Sequence, residues 1–491
     1  MTTLDTQIEP GRHRVPASRA PAAALATRSL APIPDLSIRQ GLLRYRNDRV
    51  GILAELGDRR TDIAQTSLGP LRLVYITEAS LAHSVLVEHN DAFRKGPAVT
   101  RYSTALLGDG LFTSMGADHR RQRKVLAPRF TPRQIAKYVH IMRELTEDML
   151  ARWRTETPAD FDREIVALTM AIAARTMFGR DVAAEDVDVL FDGLMDANRW
   201  FINQSISLLP LPLSIPSPGN RRMQKALHAM DRVVYRLLAQ HRQHGTGDDV
   251  LGALLAARDD DGVGMSDALL RDQVMTFFVA GHETISSTLS WTYRLLRDHS
   301  HVAERIAVEA EAVLGAQDER PQRGAPATGA SGPGAMPDLR KLVYTRAVLQ
   351  EAMRLRPAAY MIGRQALTDV QVGEHCISKG SYVVVNLLGM HRRADYFPDP
   401  LAFRPERFTT TPTWPRSGFI PFGAGARVCI GNHFALMEGA LVLALICRAM
   451  TFGPRSLADA SGLQSDDYEA EPLLTMRPRN RVPFALSWRT A

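Results

Sequence analysis

Cys429 stands in "PFGAGARVCIG" (421–431), between glycines and two residues after an arginine. The loop lacks the G-K-[ST] ending of a phosphate cradle, and no second Cys or His stands at zinc-ligand spacing. Whatever this sulfur binds, it binds alone. "AGHET" (280–284) sets Gly281, Glu283 and Thr284 inside a helical pattern. A glycine there costs about 1 kcal/mol relative to alanine, which points to close approach to the backbone. An acid and a hydroxyl in an apolar stretch could relay protons. The plainer alternative has Thr284 bonding back to the Ala280 carbonyl and Glu283 reaching solvent. "EAMRLRP" places Glu351 and Arg354 one turn apart, close enough to pair, and "FRPERF" adds Arg407. "HRRQR" puts His119 and Arg123 one turn apart on what alone reads as a solvated basic face.

These groups need helices to hold them. Ser266 is a natural N-cap for a helix running to about Asp298, a rod of about 50 Å at 1.5 Å per residue. Its apolar face includes Leu270, Val274, Phe277, Phe278, Ile285 and Leu289. From 79 to 315 the spacing is mostly helical, and helix resumes from 338 to just before Pro357. "LRLVYIT" (71–77) reads as a strand, and "VQVGEHCISKGSYVVVN" (370–386) as a hairpin turning around "SKG". Residues 205–219, apolar and broken by prolines, read either as a lip over a binding cavity or as a covered loop. Helix with small β pieces near both ends argues for α+β with a helical majority.

The 491 residues are 45% hydrophobic and 23% charged, an ordinary globular composition in which length alone suggests several domains. Three cysteines (Cys376, Cys429, Cys447) make no disulfide framework and suit a reducing compartment. Cys447 lies in an apolar run, and Cys376 reads as an inert strand residue. The net charge of +7 admits acidic partners, but no nucleic-acid motif is present. No uninterrupted apolar run reaches transmembrane length. Residues 1–35, arginine-bearing and without a compact apolar stretch, read as a disordered arm. The Pro/Gly-rich 316–337 segment reads as a flexible insertion.

In order, "AGHET", "EAMR", "FRPERF" and "FGAGARVCIG" resemble the cytochrome P-450 family of haem-thiolate monooxygenases, over nearly the whole chain. The terminal loop matches the family pattern F-x-x-G-x-R-x-C-x-G at Phe422, Gly425, Arg427, Cys429 and Gly431. The resemblance implies one mainly α (α+β) haem domain over 36–491, a helical bundle with small β-sheets. It implies heme b with Cys429 as axial thiolate, Phe422, Gly423 and Gly431 shaping the loop, and Arg427, His119, Arg123 and Arg364 as haem-propionate partners. A helix starting just after Cys429 turns free N–H groups towards the sulfur and favours its anion. Glu351, Arg354 and Arg407 match the structural triad. Gly281 would leave room for O2, and Glu283 with Thr284 would steer protons.

The substrate implied is a lipophilic molecule such as a terpenoid or fatty acid, lined by Tyr102, Phe112, Phe277, Ala280, Met361, Ile362 and Leu473. The chain ends soon after the loop, so electrons are expected from a ferredoxin or flavodoxin with its NAD(P)H reductase. Arg120, Arg121 and Lys124 offer a basic docking face. A cytoplasmic monomer without a transmembrane anchor is expected. A peroxide-driven peroxygenase or isomerase is the alternative, although such relatives usually lack the acid–alcohol pair. A non-catalytic haem sensor would leave the relay idle.

Overall fold

The computed structural model describes residue 44 and residues 48–489, apart from breaks at 69–70, 97–98, 157, 159, 179–183, 208–210, 245–248, 259–261, 316–337, 455–468 and 480–483. The 1–35 arm and the 316–337 insertion therefore lie outside the described residues. Helix Arg49–Asp58 (α1) precedes strands Ile63–Leu68 (β1), Leu71–Ile76 (β2) and Phe93–Lys95 (β3). Then come helices Gly116–Leu126 (α2), Val139–Thr155 (α3), Phe161–Phe178 (α4), Ala184–Ile206 (α5) and Pro218–His244 (α6). Val250–Ala256 (α7), Asp267–Asp298 (α8), Ser300–Leu314 (α9) and Val343–Leu355 (α10) follow. Strands Ile362–Ala366 (β4), Val370–Val372 (β5), His375–Ile377 (β6) and Tyr382–Val385 (β7) lead to the Cys429 loop. Asn432–Ala449 (α11), Met450–Pro454 (β8), Ala470–Pro472 (β9), Met476–Pro478 (β10) and Phe484–Trp488 (β11) close the chain. The architecture is mainly α with small sheets.

Helix α8 is the axis. Ser266 accepts the Leu269 N–H at 3.2 Å and starts it, satisfying one of the free donors of the first turn. Its second half (Ile285, Leu289, Leu296) packs into one core with α3, α4, α10 and α11. Its first half (Val274, Met275, Phe277, Phe278) packs into another with residues of α4, α5, α6 and α7. A helix buried almost all round explains why its apolar residues are not confined to one stripe.

The main sheet has the order β1-β2-β7-β4-β3, with β2 and β7 parallel and the other neighbours antiparallel. The expected hairpin around "SKG" is corrected here. The hairpin pairs β5 with β6 and turns at Gly373, where φ is +57°. "SKG" instead carries the chain from β6 into β7 of the main sheet. All four β7 residues are buried, so "YVVV" is the uniform apolar run of a strand covered on both faces. Cys376, on the small hairpin, is exposed, whereas Cys447 is buried in α11. By length and composition α11 is apolar enough to cross a membrane, but it is largely buried within the protein.

Candidate functional site

The Cys429 loop is folded back on itself and pinned from outside. Cys429 N–H donates to Phe422 O at 2.9 Å, and Val428 N–H to Gly425 O at 3.1 Å. Gly423 and Gly425 have φ of +74° and +70°, a region side chains disfavour. A Cβ on Gly425 would also lie 2.2 Å from Leu86 O. At Gly431 a Cβ would meet nothing within 4 Å, so the chain there borders open space. Cys429 is accessible, yet it sits deep, and burial pushes its thiol up. The Gly431 N–H and the charge of Arg123 pull the other way and do not prevail. The pull of the Gly431 N–H is in the direction expected of the start of the following helix.

Behind the loop lies a buried polar network. Arg354 and Glu351 are both fully buried and form a two-point pair at 2.7 and 2.8 Å. The remaining Arg354 donors go to the carbonyls of His391 (2.9 Å), Pro400 (2.7 Å) and Ala402 (3.1 Å). Arg407 reaches Glu351 at 3.3 Å. His391, which the sequence did not single out, accepts the Ile420 N–H at 3.1 Å through Nε2. Burial, with Arg354 and Arg392 nearby, pushes it to about 3, so it stays a neutral acceptor. Glu351, Arg354 and His391 thus tie α10 directly to the start of the cysteine loop.

A second group gathers cations. Lys95 and Arg364 are register partners across β3 and β4, and only 9% and 8% exposed. Burial, then Arg427 and Arg364, push the Lys95 ammonium well down. Burial and Arg427 push Arg364 to about 10. His119 goes to about 4 through burial and the charges of Arg427, Lys95, Arg123 and Arg120. Arg427 itself donates to Ser114 O at 2.8 Å. Among the described residues, no carboxylate figures in the groups that act most on these cations. Like charges gathered without a counter-charge repel one another, and a ligand bearing two carboxylates supplies what the cluster lacks. Together with the lone cysteine, this donor set fits a haem. Lys95 was missed because nothing local marks it; only its pairing with Arg364 reveals it. Outside the cluster, Arg121 pairs with Asp118 at 3.2 Å on the surface of α2.

Ala280 is exposed and Gly281 and Thr284 are partly accessible, although the rest of α8 is mostly buried. Phe422 packs into the core shared with the second half of α8, and Ile430 into the core shared with the first half. On the reading proposed below, Cys429 and the Ala280–Thr284 face open onto one hollow between loop and helix. Thr284 Oγ1 donates to Ala280 O at 2.9 Å. Glu283 does not reach solvent: it is 1% exposed. It accepts from Asn198 Nδ2 at 3.1 and 3.2 Å and from Thr475 Oγ1 at 3.0 Å, with Arg477 at 3.6 Å.

Among the other residues singled out, Phe112 is 37% exposed with Lys95 Nζ 4.2 Å from its ring centroid. Met361 and Ile362 are partly accessible. Leu473 is mostly buried, its carbonyl accepting from Tyr360 Oη at 3.3 Å. Phe277 corrects the expectation of a lining role. It is 4% exposed and stacks on Phe130 at 5.6 Å, so it fills core rather than hollow. The side chain of Tyr102 lies outside the described residues. The 205–219 segment is stapled where it is described: Asn220 Nδ2 donates to Pro212 O and Ile215 O, both at 2.8 Å. A separate cavity of about 230 Å³ lies beside it, lined by Arg199, Trp200 and Asn203 among others.

The profile of the Cytochrome P450 family matches residues 34–461. Cyclooctatin synthase of Streptomyces melanosporofaciens is 33% identical over 78% of this chain and 82% of that protein. Cyclooctat-9-en-7-ol 5-monooxygenase of the same organism is 30% identical over 80% and 83%. Pentalenene oxygenase of Streptomyces avermitilis is 30% identical over 78% and 82%. A lone cysteine on a glycine-bent loop, a counter-charge-hungry cation cluster and a matching profile converge: the chain belongs to the cytochrome P450 family and is a P450 monooxygenase.

Proposed function

We propose that the protein inserts one atom of O2 into a terpenoid or similar lipophilic molecule, using heme b and electrons delivered by separate redox proteins. The observation that carries the reading is the pairing of one lone cysteine with a cation cluster lacking a carboxylate. The names of the relatives, two of them acting on terpenoid skeletons, supply the substrate class.

A haem held through a cysteine thiolate would supply dioxygen activation, the sulfur's electron donation favouring O–O cleavage. Cys429 would supply that sulfur, with the Phe422 carbonyl fixing its backbone. Lys95, Arg364, Arg427, His119 and Arg123 would hold the two propionates. Ala280 and Gly281, small and accessible, would leave room for O2. Thr284 would hold a proton donor at Oγ1, and Glu283, tied to Asn198 and Thr475, would pass protons inward from the α5 side. Phe112, Met361 and Ile362 would form apolar walls, the usual lining of small-molecule sites. Glu351, Arg354 and Arg407 hold the fold and touch no reactant. The basic face of Arg120, Arg121 and Lys124 would receive an acidic ferredoxin or flavodoxin.

Titrating the haem-loaded protein with cyclic diterpenes, sesquiterpenes and fatty acids tests the substrate class. A terpene is expected to shift the Soret band to high spin at micromolar concentration while the fatty acids do not. The reverse preference would remove the terpenoid reading.

A further inference from the structure

We propose that Gln273, with Asp272 beside it, is a positioning residue that sets the shape of the pocket through Phe112. The inference rests on the reading of Phe112 as a pocket wall. The segment from Gly108 to Ser114 lies flat on α8. Leu111 N–H donates to Gln273 Oε1 at 3.1 Å, and Asp109 N–H to Asp272 Oδ2 at 2.9 Å. From the other side, Gln122 Nε2 of α2 donates to Asp109 O at 2.9 Å. Thr113 Oγ1 closes the turn onto Gly108 O at 2.6 Å. The fit leaves no slack: a Cβ on Gly108, where φ is +48°, would fall 2.0 Å from the Asp272 carboxylate. A Cβ on Gly110 would fall 2.2 Å from Thr276 Oγ1.

This seating decides where two neighbouring side chains go. Leu111, 7% exposed, turns into the core that holds Phe277 and Phe278, while Phe112 turns the other way and keeps 37% of its surface open. Its ring then meets the ammonium of Lys95, within the cation cluster. The ring is therefore held at both ends, by a backbone amide bonded to α8 and by a charge over its face. Gln273, Thr276, Ala280 and Thr284 follow one stripe of α8 at spacings of three and four. Gln273 thus sits about two turns before Ala280, on the buried part of that stripe. It is fully buried, and its Nε2 has no hydrogen-bond partner. A buried amide that leaves one end unsatisfied is costly, and here the other end fixes the amide of the residue next to Phe112.

The test uses the haem-loaded protein and two nitrogen ligands of the iron, imidazole and 4-phenylimidazole, titrated by the Soret shift. Imidazole, the smaller ligand, is the reference for iron ligation; the added phenyl group is the probe of the wall. Phe112→Ala is expected to change the ratio of the two Kd values. Gln273→Met removes the acceptor and is expected to change that ratio by about tenfold, which is about 1.4 kcal/mol and the order of one hydrogen bond. Gln273→Glu, protonated when buried and still offering a carbonyl, restores the original ratio. In the Phe112→Ala background, Gln273→Met has no further effect, because the two act as one unit. An altered ratio in Phe112→Ala with an unchanged ratio in Gln273→Met overturns the positioning role and leaves the wall standing. An unchanged ratio in Phe112→Ala overturns the wall itself. Should Gln273→Met fail to load haem, Asp272→Ala, which frees the Asp109 N–H of the same loop, is carried through the same cycle and judged by the same outcomes.

Discussion

Arg364 is expected to affect the haem-free and haem-loaded protein with opposite signs. It is 8% exposed, faces Lys95 across the β3–β4 ladder, and donates one hydrogen bond, to Gly363 O at 3.1 Å. A guanidinium ordinarily stays charged at any working pH, and burial with Arg427 pushes this one down to about 10. At about 1.36 kcal/mol per tenfold, the charged form is disfavoured in the haem-free fold by about 3 kcal/mol. Arg364→Leu relieves most of that and gives up a hydrogen bond of about 1 kcal/mol. The haem-free variant should therefore be more stable than the parent by about 1–2 kcal/mol, read as a higher urea midpoint at unchanged slope. With haem bound, the same change removes a charge-assisted bond to a propionate, about 1.5–3 kcal/mol. At about 1.4 kcal/mol per tenfold, haem transfer to excess apomyoglobin should quicken by about 10- to 100-fold. A variant that weakens the haem-free fold while leaving haem transfer unchanged would refute the reasoning, because Arg364 would then serve the sheet and not the cofactor.

Further outcomes follow from the same geometry. Cys429→Ser should lose the red-shifted Soret band of the reduced, carbon-monoxide-bound protein, whereas Cys376→Ser and Cys447→Ser should keep it. Thr284→Ala should keep substrate binding but lose about 10²-fold in productive turnover, releasing hydrogen peroxide instead; product formed per electron donor consumed measures this, and unchanged coupling would deny the hydroxyl any relay role. His391 and His282 are buried and pushed to about 3 and about 4, below an unfolded value of about 6.5, so only the unfolded chain takes up their protons as pH falls. Stability should hold above pH ~6.5 and drop below it, by about 3 kcal/mol per histidine near pH ~4.5; His391→Gln should flatten that slope in urea titrations across this range.

The parts of the site that were legible lie in contiguous stretches. The cysteine loop names its own bends through Gly423 and Gly425, and α8 announces its start at Ser266, the residue that caps it. What was not legible depends on pairing between distant segments. Lys95 acquires meaning only because β3 lies beside β4, and His391 only because Ile420 folds over it. Phe277 was misassigned because helical spacing puts it one turn from Ala280, while its ring goes to Phe130 instead. The "SKG" turn misled because three strands in sequence allow two hairpins. The choice of Gly373 follows from β7 pairing with β2 in another part of the chain.

The two readings of "AGHET" open at the level of sequence are not alternatives once the geometry is known. Thr284 does bond back to Ala280 O, as the plainer reading required. Yet that bond uses only the hydroxyl proton. A threonine oxygen keeps two lone pairs, and on a partly accessible side chain they remain free to accept from a donor held in the hollow. The back-bond fixes the rotamer and so aims the acceptor, which makes it compatible with the proposed relay. Glu283 departs from the plainer reading altogether, since three side chains from α5 and the β9–β10 region surround its carboxylate away from bulk water. An acid placed only for solubility needs none of that support, and burying one costs free energy unless it is fully paired. One residue along a helix turns a side chain by about 100°, so Glu283 lies beside the accessible face and not on it. Under the proposed function, its carboxylate, held by Asn198 and Thr475, would then take its proton from the α5 side and hand it on towards the neighbouring Thr284.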